Sequence, residues 1–382
     1  MPTIKSFPHF FSQTAPRILK DMKTVTDYLT QNYNAKCYVV GGAVRDRILG
    51  RECKDYDIEC FDISIDDFEI AMDHLGAQGV GKSFFVYKYH DLDISLPRTE
   101  KKISKGHRGF EVSLAVKEKE ASKRRDFTIN ALMYDIQNEQ ILDFWHGLED
   151  LEHKVLRVVD ENSFVEDSLR VLRAMQLASR FGFKVEESSC RICQSIALDD
   201  LPKERLFIEF EKMFRGTYLH YGLYYLFALG IGQQLLAEHM EKKTFIALSK
   251  SLQQSQKNFE EKLRPYYFLF ICKKYFSMDI KDILDRLGAP NSYYKKVAIP
   301  PTPTDITISF IAELSLKEGI VAYVGNYHAD VVAIAKKLDV WNKPFDRGVT
   351  PAELMSEGFY GKALGDELDR RTKEKIKSLK EK

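Results

Sequence analysis

The stretch Gly41-Gly42-Ala43-Val44-Arg45-Asp46-Arg47-Ile48-Leu49-Gly50 follows the β-prone run Cys37-Tyr38-Val39-Val40 and precedes Asp55-Tyr56-Asp57-Ile58-Glu59-Cys60-Phe61. The spacing predicts a strand, a short helix opened by two glycines, and a second strand. Glycine at that turn lets backbone amides come close to an anion, with the helix N-terminus behind them. A tight strand-to-helix turn needs glycine for steric reasons as well. The run from Asp55 to Phe61 alternates polar and apolar residues, the period of a half-buried strand. Asp55 and Asp57 are two apart, so both side chains leave one face. Carboxylates side by side repel unless a cation lies between them. Paired oxygen ligands with open positions suit Mg²⁺, whose shell phosphates can complete. A solvated strand face would account for the same pair without any metal. Asp93, in Leu92-Asp93-Ile94-Ser95-Leu96, would join that face if the strands pair, with Asp91 and Glu59 as rivals by periodicity.

Working outward, Phe84 to Tyr89 reads as another strand and Asp67 to Leu75 as a helix closed by Gly76. Gly76 to Ser83 satisfies the phosphate-loop spacing GxxxxGK followed by Ser, but that loop works only between a strand and a helix. Here a helix precedes it and an aromatic strand follows, so a turn is expected instead. Past about residue 160 the pattern turns helical. Ser163-Phe164-Val165-Glu166 reads as a capping box, followed by Val165, Leu169, Leu172, Met175 and Ala178 at helical spacing and by Gly182 as a stop. Helical patterns continue through Ala197, Glu209, Phe227 and Leu263, and Pro300-Pro301-Thr302-Pro303 marks a seam. The expected class is α+β: a mixed-sheet head over 1–150, a helical neck over 151–220, and a helical body and tail over 221–382.

The 382 residues are 44% hydrophobic and 30% charged, the composition of a globular chain with room for a sizeable core. Lys plus Arg number 57 against 56 Asp plus Glu, so any nucleic-acid surface must be a local patch. Six cysteines are too sparse for a disulfide scaffold and point to a reducing, cytoplasmic setting. Met1 to Lys5 does not read as a secretory leader. The most apolar stretch, Gly222 to Gly232, is too short to span a bilayer, so no membrane association is expected.

In order along the chain, GGAVRDRILG, KDYDIE, SLPRTE, GHRGFEV, RRDFTINALMYD, DFWHGLEDL and EDSLRVLRAMQLASRFGF resemble the bacterial class II tRNA nucleotidyltransferase (CCA-adding) and poly(A) polymerase family. That family belongs to the nucleotidyltransferase superfamily that includes DNA polymerase β. The resemblance is close over residues 36–216 and faint beyond, where SEGFYGKALGDEL is similar to the family's tail. It implies attack of a tRNA 3′-hydroxyl on the α-phosphate of CTP or ATP, with pyrophosphate released. It also implies Asp55 and Asp57 as Mg²⁺ ligands and Asp93 as a third carboxylate. Gly42 and Arg45 match the triphosphate-contacting turn, and Arg125 and Asp126 the motif that senses ribose and phosphates. Asn130 and Asp135 are read as structural. Asp143, Gly147 and Asp150 match the hinge between head and neck, where articulation and helix capping are expected.

Asp167 and Arg170, three apart, would share a helix face, where an ion pair is the plain expectation. The resemblance makes them a protein template for the incoming base. Cytosine and adenine each offer an amino donor beside a ring-nitrogen acceptor, which suit an aspartate and an arginine. Uracil and guanine reverse that order and leave groups unpaired, at about 1–3 kcal/mol each. Arg173 matches a family arginine near the nucleotide, whereas Gln176 stands where many relatives carry arginine. The segment with Lys101, Lys102, Lys105, Gly106, His107 and Arg108 resembles the loop needed to switch from C to A addition, and an ordinary charged hairpin is its alternative. The implied partners are the tRNA acceptor arm and 3′ end, with CTP and ATP as substrates; oligomeric state stays open. A poly(A) polymerase, or an RNA-binding protein with an inactive site, is the competing reading. Cys190-Arg191-Ile192-Cys193 reads as a helical coincidence without a second cysteine pair. Tyr293-Tyr294-Lys295-Lys296 reads as a surface loop or an RNA contact, and the basic run after Arg370 as a solvated helix end or a phosphate contact.

Overall fold

A computed structural model describes residues 1–53, 55–81, 85–102, 110–255, 263–276, 278–297, 306–323 and 329–379. The head opens with β1 (Thr3–Ser6), α1 (Pro16–Tyr33), β2 (Lys36–Val40), α2 (Gly42–Ile48), β3 (Tyr56–Phe61) and α3 (Ile65–Leu75). It continues with β4 (Gln78–Gly81), β5 (Val86–Tyr89), β6 (Leu92–Ser95), β7 (Arg98–Lys102), β8 (Phe110–Leu114), α4 (Glu118–Lys123), β9 (Met133–Asp135), β10 (Gln140–Asp143) and α5 (Gly147–His153). Eight of these strands form one mixed sheet in the order β1-β10-β9-β2-β3-β6-β5-β4, and β7 and β8 form a separate antiparallel hairpin.

Central strand β3 lies antiparallel to β2 and parallel to β6. The expectation of a half-buried strand fails here, because both faces are covered. Val25 and Leu29 of α1 and Phe68, Ala71 and Met72 of α3 pack with Val39, Ile58 and Ile94 on one face. Tyr38, Val40 and Phe61 pack with Ala115 and Ala121 on the other. Asp55 lies one residue before β3 rather than within it. Helix α3 is capped by the Ser64 side chain and stopped by Gly76 at φ 72°, so the glycine of the phosphate-loop spacing ends a helix and leads into β4. Lys82 and Ser83 lie outside the described residues.

The neck follows with β11 (Val155–Leu156), α6 (Glu161–Phe164), α7 (Leu169–Phe181), β12 (Lys184–Val185), α8 (Glu187–Gln194), α9 (Lys203–Phe214) and α10 (Leu219–Ala228). The capping box is misplaced: Asp160, not Ser163, accepts from the Ser163 amide and caps α6. The chain then turns before α7, and Val165, expected at a core position, is 43% exposed. Gly182 ends α7 in the left-handed region as expected. Beyond lie α11 (Ile231–Leu236), α12 (Lys242–Ser255), α13 (Arg264–Tyr275), α14 (Ile280–Leu287), α15 (Asn291–Val297), α16 (Ile308–Leu314), α17 (Ala329–Lys337), α18 (Pro351–Ser356) and α19 (Gly361–Ser378).

One apolar core runs from the head into α15, and a second gathers Ile311, Ile320, Val331, Ala335, Val340 and Ile376, with Trp341 packed against both. The proline-rich seam at Pro300 lies outside the described residues. Tyr293 is buried on α15 and donates to Glu211 at 2.9 Å, so the expected surface loop is a core-facing helix. Arg370 and Arg371 on α19 are paired with Glu367, Glu374 and Glu357, which neutralises part of the basic run. Cys190 and Cys193 lie on α8 as free thiols.

Between head and neck, buried Asp143 accepts from the amides of Gly147 at 2.9 Å and Leu148 at 2.9 Å and so caps α5. Asp150 accepts from Thr128 Oγ1 at 2.7 Å and meets Arg157. A Cβ on Gly147 would stand 2.3 Å from the Thr128 carbonyl oxygen, a backbone atom that cannot yield cheaply. Gly147→Ala should therefore cost about 1–3 kcal/mol or more of stability, the usual range of overpacking. The urea unfolding midpoint measures it, and an unchanged midpoint would show that the α5 junction relaxes freely.

Candidate active site

The site grows from the register of β3 against β6. Asp57 lies directly opposite Asp93 across the parallel ladder, so the two carboxylates share one face. Of the three candidate carboxylates, Asp93 is the one in register with Asp57. Asp91 sits in the preceding turn and pairs with Arg17 at 2.5 Å. Glu59 shares the face but is buried and accepts from Arg124 at 2.8 Å and Arg125 at 2.6 Å. Burial raises the Asp57 pKa, Arg125 opposes the rise, and Asp93, Glu59 and Asp55 add to it. Lys88, paired to Asp93 across β5 and β6, reaches it at 3.0 Å. Asp55 is exposed beside them. Among the described residues, no group of three or more His, Cys, Asp or Glu side chains closes around an ion. The arrangement is an open pair rather than a cage.

Gly41, rather than Gly42, is the glycine that the turn after β2 demands. It has φ +69°, and a Cβ there would stand 3.2 Å from Arg125 Nη1. Gly42 opens α2 with the Arg45 guanidinium nearby. Arg45 is 5% exposed, binds Asp46 at 2.7 Å and donates to Asn130 Oδ1. Asn130 in turn donates to Asp126 Oδ1 at 2.8 Å, which also accepts from the Phe127 amide at 2.8 Å. The other Asp126 oxygen accepts from Arg173 Nε at 2.6 Å. Asp126 thus ties the glycine turn of the head to neck helix α7. Asp135, by contrast, caps its own turn through the Gln137 and Asn138 amides at 3.0 Å.

Asp167 and Arg170 do not share a helix face. Asp167 lies in the turn before α7, where its Oδ1 accepts from the Leu169 amide at 3.1 Å. Arg170 donates to the Ser163 carbonyl at 2.6 Å and to the Arg124 carbonyl at 2.7 Å. The expected ion pair between them is absent among the described residues, and both side chains are instead anchored to backbone. Lys101 and Lys102 belong to β7, which pairs with β8, while Lys105, Gly106, His107 and Arg108 lie outside the described residues.

Three features escaped the sequence reading. Glu59 anchors two arginines, and Asn130 orients Arg45. Around the Phe181 ring stand Arg45 and Arg51 at 4.7 Å and Arg180 at 5.1 Å. Burial lowers the Arg180 pKa, and Arg45 and Arg51 lower it further. The spacing from Arg173 to Arg180, two helical turns, was the available signal. Gln176 is buried, its Oε1 without a partner among the described residues, as is Glu209 Oε2 on α9.

Comparison with known proteins bears on the family and the fold. Residues 37–157 match the family described as "Poly A polymerase head domain", and residues 182–243 match "Probable RNA and SrmB- binding site of polymerase A". The chain is 39% identical over 188 residues to the "Multifunctional CCA protein" of Stenotrophomonas maltophilia. That match covers 46% of this chain and 45% of the relative, so the chain spans less than half the length of that protein. It is 30% identical over 308 residues to the "CCA-adding enzyme" of Lactococcus lactis subsp. cremoris, covering 77% of this chain and 72% of that one. The solved structure "Thermotoga maritima CCA-adding enzyme complexed with tRNA_CCA" superposes with a TM-score of 0.68 at 22% identity, over 98% of this chain and 95% of that one, which establishes a shared fold.

Burial alone would raise the Asp126 pKa, but Arg173, Asn130 and Arg170 draw it down to about 2. The unfolded value is about 3.9. With the folded pKa depressed, the stabilisation is complete above about pH 4 and is lost as pH falls towards about 2. Over that window the unfolding midpoint of the native chain should fall more steeply than that of Asp126→Asn. Parallel curves would show that Asp126 is not the coupled acid.

Proposed function

Because this chain belongs to the CCA-adding enzyme family, we propose that it is a tRNA nucleotidyltransferase that adds C, C and A to the tRNA 3′ end from CTP and ATP by two-metal transfer, releasing pyrophosphate. The observation that carries the reading is the juxtaposition of Asp57 and Asp93 in register, beside Arg125, with neck residues Arg170 and Arg173 tied to the same Arg124–Asp126 segment. An open carboxylate pair fits Mg²⁺, which binds through one or two carboxylates and leaves its other positions to water and phosphate. Asp55 and Asp57 would hold the two metal ions. When bound, they would lower the pKa of the attacking hydroxyl and offset phosphate charge.

The protein's own residues do the rest. Asp93 sits where the 3′-hydroxyl would approach Asp57. The turn at Gly42 lets the triphosphate come close, and Arg45 and Arg125 supply the positive charge, with Arg45 held in place by Asn130 and Asp46. Asp126 fixes Arg173 beside the nucleotide. Asp167 and Arg170 read the base edge: carbonyls of Ser163 and Arg124 fix the guanidinium plane, so its donors meet the ring nitrogen of cytosine or adenine in one geometry. Residues 1–150 serve as catalytic head, 151–220 as neck, and 221–382 as the body and tail along which the acceptor arm lies, read by shape and backbone. Six free cysteines fit a cytoplasmic enzyme. Poly(A) addition is the second reading, favoured by the poly A polymerase description of the head match.

A tRNA transcript lacking CCA, supplied with Mg²⁺ and labelled nucleotides, tests this. Growth by CCA is expected, with CTP needed before ATP and with UTP and GTP ignored. Asp57→Ala should reduce incorporation by about 10³-fold or more, the scale of lost charge stabilisation. Asp167→Ala should narrow the preference for CTP and ATP over UTP and GTP by about 10–100-fold. Long tails from ATP alone would establish a poly(A) polymerase. RNA binding without incorporation, indifferent to Asp55→Ala, would establish an inactive binding protein.

A further inference from the structure

Glu59 lies in the middle of the sheet, in register with Tyr38 of β2 on one side and Ser95 of β6 on the other, and it is 2% exposed. A side chain at that depth, flanked by paired strands, has little room to move. Its Oε1 accepts from Arg124 Nη2 at 2.8 Å and from Arg125 Nη2 at 2.6 Å. Side chains one residue apart do not face the same way on a helix. These two converge on one oxygen because α4 ends at Lys123 and Arg124 is its cap.

The consequence falls on the peptide unit between the two arginines. The Arg124 carbonyl belongs to the planar group that joins them, and the side chains on both sides of that plane are tied to Glu59. Turning the plane would pull a guanidinium away from a buried anion, which leaves charge uncompensated and is strongly opposed. Asp126, next in the chain, is anchored by Asn130 and Arg173, so there is no slack on that side either. The carbonyl so fixed accepts from Arg170 Nη2 at 2.7 Å, while Arg170 Nη1 donates to the Ser163 carbonyl at 2.6 Å. Two acceptors therefore set the plane of the Arg170 guanidinium, and Glu59 governs the direction of one of them.

We propose that Glu59 is a positioning residue for base selection, one that holds the Arg124 carbonyl so that Arg170 meets the base edge at a single angle. This role rests on the reading of Asp167 and Arg170 as the base template given above. Its chemistry is directional. An arginine donor aimed at the ring nitrogen of cytosine or adenine meets an N–H on uracil or guanine, and two donors facing each other leave both unpaired. A guanidinium free to swing reaches the neighbouring carbonyl of uracil or guanine instead and accepts the wrong base. Loosening the clamp therefore costs selectivity even though both pairing residues are still present.

The experiment compares kcat/KM for single additions of CTP and of UTP, using the full chain, Mg²⁺ and a tRNA transcript lacking CCA. The ratio of the two does not depend on how much of the enzyme is folded. Glu59→Gln, which keeps the shape and removes the charge, should narrow that ratio about 10-fold. Arg124→Met cuts one tether, leaves Glu59 paired with Arg125 and should narrow the ratio as well; it carries the test if Glu59→Gln folds poorly. In an Arg170→Ala background, Glu59→Gln should narrow it no further, because a residue acting through Arg170 then has nothing to position. A ratio unchanged in both single variants, whatever the common fall in rate, would make Glu59 a structural anion and overturn the role. Full additivity with Arg170→Ala would overturn it too, and in both cases CCA addition by the native chain would leave the proposed function standing. A native chain that incorporates neither nucleotide or both equally, or an Arg170→Ala variant as selective as the native chain, would overturn the base template and the role of Glu59 with it.

Discussion

The Asp126 carboxylate is the constraint on which the site depends. One oxygen holds the Phe127 amide and Asn130, and through Asn130 the guanidinium of Arg45; the other holds Arg173 of α7. A single buried anion therefore sets the distance between the glycine turn of the head and the first turns of the neck. Removing one partner of a buried pair is costly because the other is left uncompensated, by about 3–5 kcal/mol. The linkage is thus strong where the sheet-bearing and helical parts meet, and it fixes the side chains of both in one arrangement.

Charge balance in the head follows a similar logic. The face of β3 that carries Asp57 also carries Glu59, two residues deeper and buried. Glu59 absorbs Arg124 and Arg125, which keeps two guanidiniums beside the Asp57–Asp93 pair. The acids divide by depth: the inner one organises cations, and the outer ones are left for solvent-side chemistry. The covered second face of the sheet makes this division possible, because it desolvates Glu59 but leaves Asp93 at 39% side-chain exposure.

Local pattern made much of the head legible before any coordinates. The Gly41–Gly42 turn, the strands around Cys37 and Asp57, and the α3 stop at Gly76 each depend on neighbours in sequence, and motif order carried the family resemblance. What pattern could not supply was pairing at a distance. Asp93, Asp91 and Glu59 are equivalent by periodicity, and only tertiary structure distinguishes them: the register that sets Asp93 opposite Asp57, the arginines that bury Glu59, and the turn that gives Asp91 to Arg17. Asp167 and Arg170 show the opposite error, in which a valid spacing was read as one helix. The chain turns between Phe164 and Leu169, and Asp160 takes the capping role assigned to Ser163. Tyr293 looked like a surface aromatic because burial by α9 and α13 is tertiary information.

The crowding of Arg45, Arg51 and Arg180 around Phe181 bears on the resting protein. Three guanidiniums on one ring, with Asp46 as the near counter-charge, form a locally frustrated cluster, since each is repelled by the other two. The Phe181 ring offers the cations its π-electron density as a partial counterweight. The end of α7 therefore carries a concentrated patch of positive charge, and Arg180, buried beside the other two, holds its proton less tightly than a solvated arginine.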